Sequence, residues 1–176
     1  MSTDTWIRNR RARGLLSCAA LASLALSACG GPQRREAPAL TPLPETRALE
    51  VIREGFEEAH VTPELHRRIH LRNNRDMEID FATQGHDHGV EFIQAQDRVD
   101  FGDALPQRRV EGSLLTCVGI GEDARVDVLL LDDHEFMYQP DASFTGPGQP
   151  TLVEVEDRLR RAVVDYLTYL QHHGEL

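Results

Sequence analysis

The stretch TPELHRRIHLRNNRDMEIDFA, residues 62–82, carries the change of periodicity on which the fold class turns. Thr62 ahead of Pro63 and Glu64 has the form of a helix start: a hydroxyl cap, then proline at the first helical position, where its missing N–H costs nothing. A short helix is predicted from there to about Leu71, ended by Asn73 and Asn74. From Asp76 onward the pattern has period two. Met77, Ile79 and Phe81 share one face and Asp76, Glu78 and Asp80 the other, which predicts a sheet strand with one wet side.

Upstream, Leu49, Ile52, Phe56 and Ala59 recur at helical spacing, so a first helix is expected over residues 45–60. Downstream, GVEFIQ, SLLTCVGI and ARVDVLLL read as further strands separated by turn-forming residues such as Gly121 and Asp123. After Pro150, Thr151 and Glu154 have the spacing of a capping box, with each side chain answering the other's backbone N–H. Leu152, Val155, Leu159, Ala162, Val163, Tyr166 and Leu170 then form one apolar stripe that ends before Gly174. Helices, a run of strands on short turns, then a helix predict an α+β fold: a small antiparallel sheet with two N-terminal helices and a long C-terminal helix packed on it.

The N-terminal residues have a different character. Arg8, Arg10, Arg11 and Arg13 precede an apolar run over residues 15–26, and small residues lead from there to Cys29. Twelve helical residues span about 18 Å against a hydrocarbon core of about 30 Å, too short for a stable crossing. Leu26-Ser27-Ala28-Cys29 resembles the lipobox of bacterial prolipoproteins, and the resemblance covers residues 1–29 only. It implies a signal peptide over residues 1–28, removed after the Cys29 thiol has been diacylated. By resemblance to Gram-negative lipoproteins, Gly30 in place of aspartate after that cysteine implies sorting to the outer membrane. Residues 29–44, with four prolines and two glycines over GGPQRREAPALTPLP, form a semi-extended tether. Residues 45–176 are expected to form one domain.

Charge narrows the partners. The chain has 19 basic residues, all arginine, against 29 acidic ones. Loss of residues 1–28 removes four Arg and Asp4, leaving 15 against 28 and a net charge of −13. An acidic exterior argues against nucleic acid as a partner and against anionic lipid heads bound through a basic face. Membrane contact is then expected through the acyl chains, each buried methylene contributing about 0.8 kcal/mol. With Cys18 in the signal and Cys29 acylated, Cys117 is left without a disulfide partner and is expected in the core.

Catalytic motifs are sparse. The chain has no glycine-rich phosphate loop, G-x-S-x-G elbow, HExxH helix or CxxC pair, and nothing in it calls for a cofactor. His66 and His70 would share a face of the predicted second helix, but that motif lacks a glutamate, and Arg67 and Arg68 beside them would repel a cation. His86 and His88 in GHDHG are candidate metal ligands, with His134 or Glu91 as a third donor if a hairpin brings them together. A polar hairpin turn between two glycines accounts for the same residues without a metal.

The expected function is accordingly a lipid-anchored, non-enzymatic binding or assembly module facing the extracytoplasmic side of a bacterial envelope, with an envelope protein as its partner. A metal carrier or metal-dependent enzyme centred on His86 and His88 is the alternative from a second class. A purely structural envelope protein is the third.

Overall fold

A computed structural model describes residues 38–108, 114–144 and 148–176. Thr41–Pro42 (β1) leads into helix Glu45–Glu58 (α1), and then Pro63–Glu64 (β2), Arg67–Leu71 (β3), Arg75–Ile79 (β4), Phe81–Thr83 (β5) and His88–Ile93 (β6) follow. A short helix, Ala95–Phe101 (α2), precedes Leu115–Val118 (β7), Asp127–Asp132 (β8) and Met137–Tyr138 (β9), and the long helix Leu152–His173 (α3) closes the chain. The main sheet has the order β2-β5-β6-β8-β7.

This corrects the expected architecture in two respects. The sheet is mixed, because its two central strands, β6 and β8, run parallel from His88 opposite Asp127 to Ile93 opposite Asp132. A parallel pair needs a crossover, and the chain between them supplies it with α2 and β7. The residues expected to form the second N-terminal helix are instead the strands β2 and β3. Ile69 and Leu71 are buried while Arg68 and His70 are exposed, a period of two that short helical spacing mimics. Asn73 and Asn74, expected as a helix stop, instead take positive φ of 60° and 55° and turn β3 back onto β4. Asparagine tolerates that left-handed region better than most residues, which is why it serves both ends equally well.

The hairpin is matched on both faces. Ile69 lies opposite Met77 in a buried layer, and on the outer face His70 opposes Asp76 and Arg68 opposes Glu78. Its Arg68–Glu78 ion pair is 3.5 Å long. At Asp80 the chain leaves the hairpin for the main sheet and the alternation changes sense. Met77 and Ile79 pack under the hairpin, whereas Phe81 stacks obliquely on Phe56 of α1 at 5.8 Å, on the opposite side of the sheet.

Two apolar layers result. Val90, Phe92, Leu129 and Leu131 face α1 and α3, while Ile93, Val128, Leu130, Leu115 and Cys117 face the hairpin and the segment after α2. The C-terminal helix begins with the expected capping box, Thr151 N–H donating to Glu154 at 2.7 Å and Glu154 N–H to the Thr151 hydroxyl at 3.3 Å. It ends at Gly174, whose φ of 71° supplies the left-handed stop. Arg47 on α1 grips Glu156 on α3 with two bonds, of 2.7 and 3.1 Å. The folded body starts before Glu45: β1 pairs with β9, and Leu43, within the segment assigned to the tether, is only 2% exposed.

The helices approach closely at Gly55, where an added Cβ would lie 2.9 Å from Val163 Cγ1 and 3.0 Å from Val163 Cβ. Gly55→Ala should therefore destabilise the domain by about 1–3 kcal/mol although alanine is the better helix former. Urea denaturation checks this, and Val163→Ala should cost less in the Gly55→Ala background than alone. Leu159→Ala, at a fully buried position on the same helix, should cost roughly 2–5 kcal/mol. A cost under about half a kcal/mol would mean that Leu159 packs against nothing.

Candidate functional site

The structure separates the candidate histidines. His88 opens β6, and His134 follows the far end of β8, with its Nδ1 3.9 Å from Asp132. Five residue steps of extended chain put the two ends of the parallel pair about 17 Å apart. His86, in the β5–β6 turn, lines an open concavity of about 300 Å³ with His60 and Gln84. His88 turns instead to Glu175, with Nε2 3.3 Å from the carboxylate, and its Nδ1 and Asp127 Oδ1 are buried without a hydrogen-bond partner among the described residues. His66 and His70 do not share a helix face: they pair with Glu78 and Asp76 across the hairpin. Among the described residues no three His, Cys, Asp or Glu converge in a way that could hold a metal ion. Cys117 is free and buried, and burial pushes its thiol up.

Where β4 passes into β5, two carboxyl groups take over the strand pairing. Asp80 N–H donates to Glu91 Oε2 at 2.7 Å, and Phe92 N–H donates to Asp80 Oδ2 at 2.9 Å. Burial and the neighbouring Asp80 charge push Glu91 up to about 9, and burial raises Asp80 as well. Asp97 and Glu45 add negative potential to the same region. The pair therefore shares a proton at neutral pH. On the hairpin side at the carboxyl end of β8, Asp132 is 1% exposed and receives two Arg98 bonds, of 2.9 and 2.5 Å, while a third Arg98 N–H donates to Pro106 O at 2.6 Å. This closed fork fastens α2 to the sheet.

The surface with the clearest capacity to bind lies at β7, an edge of the main sheet. Gly119 N–H points inward to Val126 O at 3.0 Å, whereas Ile120 N–H points outward to His70 O at 2.8 Å. Backbone groups alternate in direction along an antiparallel strand, so the N–H and C=O of Thr116 and Val118 also point outward. Leu115 and Cys117 fill the hairpin-side core, which places Leu114, Thr116 and Val118 on the helix-side face. Among the described residues nothing covers that face at β7: Leu114 is 48% exposed and Val118 51%. The stretch Leu114-Leu115-Thr116-Cys117-Val118-Gly119-Ile120 holds no charge, in a chain of which 27% is charged.

The other edge is built differently. β2 has two residues, one a proline and the other a glutamate, the usual means of preventing a further strand from adding. Sequence reading identified β7 as a strand but not as an edge. The uncharged run was the legible sign, and its meaning depends on sheet order.

No protein-family model, curated protein or solved structure matches the chain.

The Glu91 proton has a consequence for stability. An acid whose pKa is higher in the folded state than in the unfolded one stabilises the fold fully below its ordinary value of 4.5. That contribution declines, by up to about 1.4 kcal/mol per pH unit, until the pH reaches about 9. Glu91→Gln keeps a neutral acceptor for Asp80 N–H and an N–H donor toward the Asp80 carboxylate. Its stability, from urea midpoints, should match wild type near pH 5 and exceed it at pH 8.5. Parallel pH profiles for the two proteins would exclude the shared proton.

Proposed function

We propose that this chain is a lipid-anchored assembly module of a bacterial envelope, held by acyl chains on Cys29 and acting by strand pairing at the β7 edge rather than by catalysis. The observation that carries the binding half is that edge. Its outward backbone groups at Thr116 and Val118 and its uncharged, half-exposed side chains lack the blunting that β2 has. Adding a strand to such an edge supplies hydrogen bonds along the main chain and lets alternate side chains select the partner.

The anchoring half rests on the lipobox-like Leu26-Ser27-Ala28-Cys29 and the basic and apolar segments before it, residues that lie outside the described ones. No helix among the described residues is long and apolar enough to cross a membrane, so attachment through lipid is compatible with the domain. Gly30 supports the outer membrane as the destination.

Metabolic labelling with palmitate in a bacterial host tests the anchor. Label should enter the protein, intact mass should place the mature N-terminus at an acylated Cys29, and Cys29→Ala should stay unlabelled and unprocessed. A mature N-terminus at any other residue, or a free Cys29 thiol, would remove the lipoprotein assignment.

A further inference from the structure

A histidine stands between two acids at the end of the sheet where β6 and β8 begin. His88 and Asp127 lie opposite each other in the parallel register. Both continue the alternation of Val90, Phe92, Leu129 and Leu131, so both side chains turn to the helix side. From beyond the end of α3, Glu175 reaches the same place, with a carboxylate oxygen 3.3 Å from His88 Nε2. His88 Nδ1 and Asp127 Oδ1 are buried and lack a hydrogen-bond partner among the described residues. We propose that His88 is a proton-operated latch: as an imidazolium it joins Asp127 to Glu175 and holds Glu175 and Leu176 in place, and on losing a proton it releases them.

The chemistry of the ring sets the direction. A neutral imidazole has one N–H and one lone pair. Whichever nitrogen carries the proton, the other turns its lone pair toward an acid, and no positive charge lies between the two carboxylates. An imidazolium donates to Glu175 through Nε2 and to Asp127 through Nδ1, which gives the two orphaned atoms their partner. The other groups around the ring do not replace it. Tyr166 on α3 donates its hydroxyl to Asp127 O at 3.2 Å, and burial pushes that phenol up, so it stays neutral. Asp87 in the β5–β6 turn is paired with Arg67 at 2.8 Å, and Arg125 acts on the same carboxylate. His60 and His86 line the neighbouring concavity. Burial raises the Asp127 carboxyl, whereas a hydrogen bond with Thr116 and the charge of His88 lower it.

What moves is decided by what is free to move. His88 and Asp127 are fixed in the two central strands. Glu175 follows the left-handed stop at Gly174, and its side chain is 45% exposed, so it can exchange the imidazole for water. Glu175 N–H donates to Leu170 O at 3.0 Å, so movement begins beyond that bond, with the Glu175 side chain and Leu176. Leu176 packs on the helix-side core and walls the concavity that His60, Val61, Gln84 and His86 share. Opening the latch withdraws that wall and uncovers Val61. The closed form holds one proton more than the open form, so closure is favoured as the pH falls through the range in which histidine changes charge, about pH 5 to 8, until the carboxylates themselves protonate.

The test follows the full chain by NMR in mild detergent between about pH 5 and 9. Ring shifts of His88 report its proton, and the backbone order parameter of Leu176 reports the latch. That order parameter should fall from about 0.85 to below about 0.6 as the pH rises, with the midpoint of the His88 ring. His88→Gln and Glu175→Gln should each remove the step, because a neutral amide in place of either charge leaves no ion pair for the proton to control. Glu175 is half exposed, so its substitution does not reach the core. Constant order at Leu176 while His88 titrates, a His88 ring that does not titrate in this range, or a step that survives either substitution overturns the latch.

Discussion

The parallel pairing of β6 with β8 is the constraint on which the rest of the fold depends. The two strands are the middle of the sheet, and both of their faces are buried, with Val90 and Leu129 on one side and Val128 and Leu130 on the other. A sheet covered on both sides needs two separate covers. The helices α1 and α3 provide one, locked at Gly55 against Val163. The hairpin β3–β4 and the segment after α2 provide the other. Because parallel strands cannot be joined by a tight turn, the chain between β6 and β8 is obliged to travel across the sheet. The same excursion lays β7 along its far side as an edge.

Polar groups inside this arrangement sit where the layers change. At Asp80 the chain steps from the hairpin layer into the sheet, and a regular ladder cannot continue through the step. Asp80 and Glu91 accept the N–H groups that the step would leave unpaired. The alternative, buried amides without partners, costs about as much as a lost hydrogen bond each. A second carboxylate in the same place brings repulsion, which a shared proton relieves. Asp132 solves a different problem with a cation, since Arg98 arrives from α2 with its full fork. One buried acid is thus held neutral and the other paired, according to whether an arginine can reach it.

How far this was legible in the sequence follows from the range of the interactions concerned. The C-terminal helix was clear because its cap, stripe and stop are all local. The first helix was clear for the same reason. The segment 62–71 was not: Pro63 and the histidines fit a helix start, while Ile69 and Leu71 fit a strand, and the decision belongs to Met77 and Ile79 across the hairpin. Phe81 continues the alternation of Met77 and Ile79 in sequence but faces the other core, because a change of layer leaves no mark on a period-two pattern. The parallel order of β6 and β8 was hidden since α2 is only seven residues long and buries none of them. The histidines of the β5–β6 turn stood out in sequence, yet sheet order sends His86 and His88 toward different neighbours. Cys29 lies outside the described residues, so the sequence alone speaks for it.

The shortness of β7 and the proposed anchor belong together. A four-residue edge offers few outward groups, and each backbone hydrogen bond contributes only about 0.5–1.5 kcal/mol net of water. Between freely diffusing chains this is set against a loss of translational and rotational freedom of several kcal/mol. Chains confined to one membrane face by acyl groups have already lost part of that freedom. Under the proposed attachment the edges would be held at high local concentration, which strengthens pairing without any added contact. A longer or more apolar edge would carry the aggregation hazard of unguarded strands. A short edge gains most from such an anchor, because the proposed acyl attachment would concentrate it at the surface where assembly is to occur.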